Sequence, residues 1–112
     1  MSERTADALF SQLIRLRDGA CVICGSVRDL ECAHLIRRGY HAVRYEPRNA
    51  VALCSRCHGH MTRHPLEWNV WRTERLGGAV FAVLWKRAMD GARPDLPSVM
   101  ADLRAQIKAV AA

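Results

Sequence analysis

The chain has 112 residues, half of them apolar, with a formal net charge of +6 and a sequence pI near 9.6. That length allows one domain with a modest core, and domains of this size often lean on a metal or a partner chain for stability. No apolar run approaches a membrane span and the N-terminus carries no charged-then-apolar signal pattern, so an intracellular chain with no membrane partner is expected.

The positive charge is almost all arginine, with fifteen arginines against two lysines. Guanidinium groups suit bidentate contacts with phosphate. The excess is also local: Arg28, Arg37, Arg38, Arg44, Arg48, Arg56 and Arg63 stand against only Asp29, Glu31 and Glu46 in the same stretch. Such a concentration argues for nucleic acid as partner over a membrane surface.

In chain order, residues 2–18 predict a helix. Leu9, Leu13 and Leu16 repeat at helical spacing, Phe10 and Ile14 widen the stripe, and Asp18-Gly19 supplies the stop. Cys21-Val22-Ile23-Cys24 followed by Gly25 reads as a knuckle, the glycine permitting a turn that points both sulfurs inward. Residues 30–36 alternate as a strand, with Leu30, Cys32 and His34 on one face and Glu31, Ala33 and Leu35 on the other. A polar loop opens at Arg37-Arg38-Gly39 and runs to Pro47. Residues 49–53 predict a second, antiparallel strand. Cys54-Ser55-Arg56-Cys57-His58 turns into a short helix that Pro65 ends. Further helices are expected over 66–76, closed by Gly77-Gly78, and over 79–89. A break at Pro94 and Pro97 precedes a last helix over 98–110, with Ser98 as its cap. The apolar run 79–85 should complete the core, a homodimer interface being the alternative. Trp68 and Trp71 should pack on the cysteine unit, with stacking on an unpaired base as the alternative.

The two C-x-x-C pairs, Cys21/Cys24 and Cys54/Cys57, lie about thirty residues apart, the usual spacing of a closed, structural four-cysteine zinc site. Reduced intracellular thiols favour zinc over disulfides. Cys32, the odd one, is expected to be a small buried residue. His34 and Asn49 fall inside this clamp and His58 follows it directly, so the zinc looks like a frame around a second site.

C-x2-C, then Ala33-His34-Leu35, then Asn49 and an apolar strand ending Leu53-Cys54-x2-Cys57-His58, resembles the ββα-metal or HNH endonucleases over residues 21–58. His34-Leu35-Ile36-Arg37-Arg38-Gly39, Val43-Arg44-Tyr45, Leu66-Glu67-Trp68 and Glu74-Arg75-Leu76-Gly77 are similar to the phage recombination endonucleases called NinG or Rap, to about residue 85. The resemblance implies an α+β fold with a zinc-braced ββα-metal unit at 21–64, a helix before it at 1–20 and helices after it at 65–112. It implies a DNA endonuclease acting on branched recombination intermediates, phage- or prophage-encoded and working in the cytoplasm of a bacterial host. The products would carry 5′-phosphate and 3′-hydroxyl ends.

Phosphodiester hydrolysis needs an activated water, charge stabilisation on the phosphate and help for the departing oxygen. A histidine near neutral pKa can take the water proton, and a divalent cation can neutralise the phosphate. By the resemblance His34 is the general base, Asn49 braces the hairpin, and His58 binds the catalytic ion, magnesium or manganese. Arg37, Arg38 and Arg44 are the expected DNA-phosphate contacts, which position DNA without reading its sequence. One departure is Ala33, where many relatives carry an acidic metal ligand. Glu31, His60 and His41 are the candidates to replace it, and Glu31 would need a bulge to reach the His34 face of a regular strand. Two alternatives follow: a non-catalytic zinc module that binds DNA through its arginine loop, or a nuclease that assists phage DNA packaging.

Overall fold

Local capping sets the first helix. Ser2 caps α1 (Glu3–Asp18), its Oγ accepting the Thr5 N–H at 3.4 Å, and Gly19 ends it at φ 68° with its N–H on the Arg15 carbonyl. These positions come from a computed structural model, which describes residues 2–112. Over those residues the chain forms five α-helices and one two-stranded sheet, a small α+β domain. The strands β1 (Leu30–His34) and β2 (Ala50–Cys54) pair antiparallel in a continuous ladder from Leu30 opposite Cys54 to His34 opposite Ala50. Then come α2 (Ser55–Arg63), α3 (Pro65–Leu76), α4 (Gly78–Asp90) and α5 (Leu96–Ala111).

The boundaries differ from expectation where a side chain takes over a backbone role. The first strand stops at His34, not Ile36. Leu35 still donates to the Asn49 carbonyl at 2.8 Å, but the Ile36 N–H is captured by the Asn49 side-chain oxygen at 2.7 Å. The loop that follows is not irregular, since it winds through two 3-10 turns, His41–Val43 and Pro47–Asn49. The last helix starts earlier than expected because Asp95, not Ser98, caps it. The Asp95 carboxylate accepts both the Ser98 N–H and the Ser98 hydroxyl, and Pro97 sits in the first turn, where no N–H is needed.

Three apolar clusters hold these pieces. Phe10, Leu13 and Ile14 of α1 pack with Ala50, Ala52 and Leu103, joining α1, α5 and one face of the sheet. Cys21, Ala33, Leu35, Val51, Leu53 and Cys54 form the second, with Trp68 and Trp71 of α3 against it. Leu30, at the start of the strand, also touches this cluster while bordering the same cleft as Cys32 and His34. Leu30 follows Asp29, whose left-handed φ of 53° turns the chain into the strand. Leu84 and Ala88 of α4 close the third cluster over Ile36 and Val43 of the hairpin loop. The radius of gyration, 13.8 Å, is close to the about 13 Å of a compact chain this long. Among the described residues no helix is long and apolar enough to cross a membrane.

The two edges of the sheet have different fates. The outer edge of β2 is tied down: Arg17 donates to the Pro47 and Ala50 carbonyls at 2.7 Å each, Asp18 accepts the Ala52 N–H at 2.8 Å, and the Val22 N–H reaches the Ala52 carbonyl at 3.0 Å. Among the described residues β1 pairs with β2 alone, and its other edge borders a cleft.

Candidate metal centre and active cleft

The four sulfurs of Cys21, Cys24, Cys54 and Cys57 lie within 4.8 Å of one another, and those of Cys24 and Cys54 are 3.6 Å apart. A tetrahedron of about 2.3 Å zinc–sulfur bonds has edges of about 3.8 Å, so the thiols fit a structural zinc ion. Without an ion the sulfurs do not ionise alike. Burial opposes ionisation of Cys21, but the backbone N–H groups of Cys24, Cys54 and Ile23 outweigh it and bring the thiol down to about 6. Burial, and then the neighbouring sulfurs, push Cys57 up to about 12. A cation is what lets four crowded sulfurs ionise together. The pairs come from a knuckle ahead of β1 and from the junction of β2 with α2, where Cys54 also caps the helix.

The cleft along the free edge of β1 has a volume of about 650 Å³ and lies between α1, the strand and the start of α2. Its walls carry Glu31, His34, Arg37, Arg38, His58 and, from α1, Arg15. His34 is held from two sides. Its ring stacks on Phe10 at 5.3 Å between centroids, and its Nε2 lies 2.8 Å from the Arg44 carbonyl oxygen. A carbonyl oxygen only accepts, so Nε2 carries the proton and Nδ1 keeps the lone pair of the neutral ring. Burial, helped by the charge of Arg38, lowers the His34 pKa below its ordinary value against the opposing pull of the Arg44 carbonyl. At neutral pH the side chain is therefore an uncharged base.

His58 sits on α2 and its Nδ1 donates to the Glu31 carboxylate at 2.8 Å, both side chains being partly exposed. With the Nδ1 proton on Glu31, the Nε2 lone pair is left to bind a cation. Glu31 thus reaches the same cleft as His34 without any bulge, contrary to expectation. The ladder is regular through Glu31 and Leu53, but a groove that runs along a strand's edge is bordered by side chains from both faces. The other two candidate ligands lie elsewhere. His60 bonds Glu67 at 2.9 Å and stacks on His64, while His41 lies 3.5 Å from Glu3. Among the described residues the four cysteines are the single group of three or more such ligand atoms.

Asn49 is fully buried and its side chain ties the loop: Oδ1 accepts from Ile36, and Nδ2 donates to the Ile36 and Val43 carbonyls at 2.9 and 3.0 Å. That fixes the backbone next to Arg44, whose carbonyl orients His34. Arg37 and Arg38 line the cleft. Arg38 stays exposed, with a looser 3.6 Å contact to Asp7, whereas Arg44 is held more closely. Its guanidinium forms a two-pronged pair with Asp7, at 2.9 and 2.6 Å, and its side chain is only 12% exposed. Burial alone would raise the Asp7 pKa, but the Arg44 contact outweighs it and holds the carboxyl below its usual range. Arg44 is a fixed internal counter-ion, not a free phosphate contact. Cys32 also borders the cleft, and burial pushes its thiol up to about 12, which makes it inert at neutral pH.

Sequence reasoning missed the contribution of α1. Asp7, Ser11 and Arg15 all line the cleft, and their spacing of four residues puts them in one row beside the apolar stripe of the helix. That polar row was the available signal. Comparisons with protein-family models, with curated proteins and with solved structures find no match for the chain.

Proposed function

We propose that the chain is a metal-dependent DNA endonuclease of the ββα-metal, or HNH, kind, similar to the NinG-like phage recombination nucleases. The observation that carries this reading is a neutral histidine with its Nδ1 lone pair available, in one cleft with a carboxylate–histidine pair and three arginines. In this reading β1, β2 and α2 are the ββα unit, and the zinc centre fixes the hairpin to the helix.

Arg15, Arg37 and Arg38 hold the DNA backbone by its phosphates. His34 Nδ1 takes a proton from a water, whose oxygen attacks the phosphorus. The bond to the 3′ oxygen breaks, that oxygen is protonated from solvent, and the ends are 5′-phosphate and 3′-hydroxyl. Asn49 acts at one remove by holding the loop whose Arg44 carbonyl orients the base. His58 Nε2 would hold magnesium or manganese, with Glu31 orienting the ring through Nδ1 and the remaining positions going to water and phosphate oxygens. When bound, such an ion offsets the charge on the phosphate and on the departing oxygen. The protein donor fits manganese better than magnesium, since it is an imidazole whose tautomer a carboxylate fixes.

The second reading, a non-catalytic zinc module that binds DNA, is favoured by Ala33 and by the lack of a second three-ligand group among the described residues. Incubation of nicked and supercoiled plasmid with magnesium or manganese separates the two. Breaks that DNA ligase reseals without prior kinase or phosphatase treatment are the expected result. Salt-sensitive binding with no break in either ion would favour the module.

A further inference from the structure

A second pocket, of about 330 Å³, adjoins the cleft and shares His34 and Arg37 with it. Its other walls are Leu35, Tyr40, Trp68, Arg72 and Trp85. The three aromatics come from three segments: the hairpin loop, α3 and α4. Tyr40 meets Trp85 edge-on, with centroids 5.3 Å apart and planes at 82°, while Trp68 is backed by Trp71 at 5.4 Å. Arg37 lies over the Tyr40 ring at 5.3 Å. Arg72 is locked in place, donating to the Leu35 carbonyl at 2.6 Å and to Asn69 while lying over Phe81 and Trp85.

Aromatic faces interleaved with guanidinium planes form the platform on which single-stranded bases stack. A pure core would bury these rings, yet Tyr40, Trp68 and Trp85 stay only partly buried around an opening next to the base histidine. The volume is at the small end of ligand pockets. The geometry points to a nucleobase pocket: it takes one unpaired base of the nucleotide beside the phosphate held at His34. A paired base cannot enter, because duplex stacking keeps it out of reach. The preferred DNA is thus one with an unpaired nucleotide at the cut. This rests on the reading that DNA lies in the cleft, and it adds what that reading does not specify, the state of the base next to the cut.

The test is binding of the zinc-loaded protein, without added magnesium or manganese, to short duplexes carrying one bulged 2-aminopurine. The same duplexes fully paired, or with an abasic residue in the bulge, are the controls. The expected result is quenching of the 2-aminopurine and binding about tenfold tighter than to either control. Tyr40→Leu should remove most of that preference, and Arg37→Gln, at an exposed position outside the core, should weaken it. Equal binding to all three duplexes with unchanged fluorescence would overturn the pocket. Plasmid cleavage with manganese, run in parallel, reports on the nuclease alone. Cutting without quenching removes the pocket and leaves the nuclease, whereas quenching without cutting keeps the pocket and counts against the nuclease.

Discussion

His34 is buried enough to stay neutral and is oriented by one backbone carbonyl, and both facts have consequences in solution. Its folded pKa lies below the ordinary value of 6.5. Between the lowered value and 6.5 the unfolded chain therefore binds more protons than the native one. Stability is complete above about 6.5 and falls as pH drops through that window; urea titrations at stepped pH should show the fall, and His34→Gln should reduce it. The acid limb of kcat/KM for DNA cleavage should likewise lie below 6.5, where the free base takes up its proton. Asn49→Ala removes the three side-chain hydrogen bonds that close the loop. With the Ile36 N–H and two carbonyls left buried, it should cost about 3 kcal/mol in urea unfolding. His34, Asn49 and His58 could be named from the sequence because the cysteine frame singles them out. The Glu31–His58 and Asp7–Arg44 pairs could not, since they join residues 27 and 37 positions apart and depend on how a helix meets the strand edge in one case and the hairpin loop in the other.

At the scale of elements, a zinc ion on the four cysteines would do what a small core cannot. Bound there, it would pin the knuckle after α1 to the end of β2 and to the first turn of α2, the helix that carries His58 into the cleft. Structural zinc stabilises by more than most whole small domains do, and a loss of only a few kcal/mol lowers Tm by about 10 °C or more at this size. Chelation should therefore give a large, zinc-reversible drop in Tm by circular dichroism, with one zinc per chain by metal analysis. A Tm indifferent to chelator would remove the metal from the fold. The strands, the two pairs of sulfurs and each helix were legible from period and punctuation. Their ends were not, because side chains took backbone roles: Asn49 replaced a strand partner at Ile36, and Asp95 displaced Ser98 as a cap.

For the whole molecule the informative quantity is where the charge is available. The net charge is +6, but Arg44 is tied to Asp7, Arg17 to Asp18 and β2, and Arg87 to Glu46. Arg37→Gln and Arg38→Gln should each reduce the slope of log affinity against log salt by about 1. Arg44→Gln should lower stability instead, by stranding a partly buried carboxylate. Charge counting along the chain treated the three arginines alike, and only the packing of α1 against the loop separates them. The packing of α5 on α1, which backs the cleft from behind, was equally invisible, since periodicity gives a helix its apolar face but not its neighbour.

The most direct measurement is manganese-dependent cleavage of supercoiled plasmid by wild type, His34→Ala and His58→Ala, with zinc content checked in each. Cutting by the wild type that falls by about a hundredfold or more in both variants, with zinc retained, is the expected result. Equal cutting by His34→Ala and the wild type would contradict the assignment of the base and, with it, the place of the reaction.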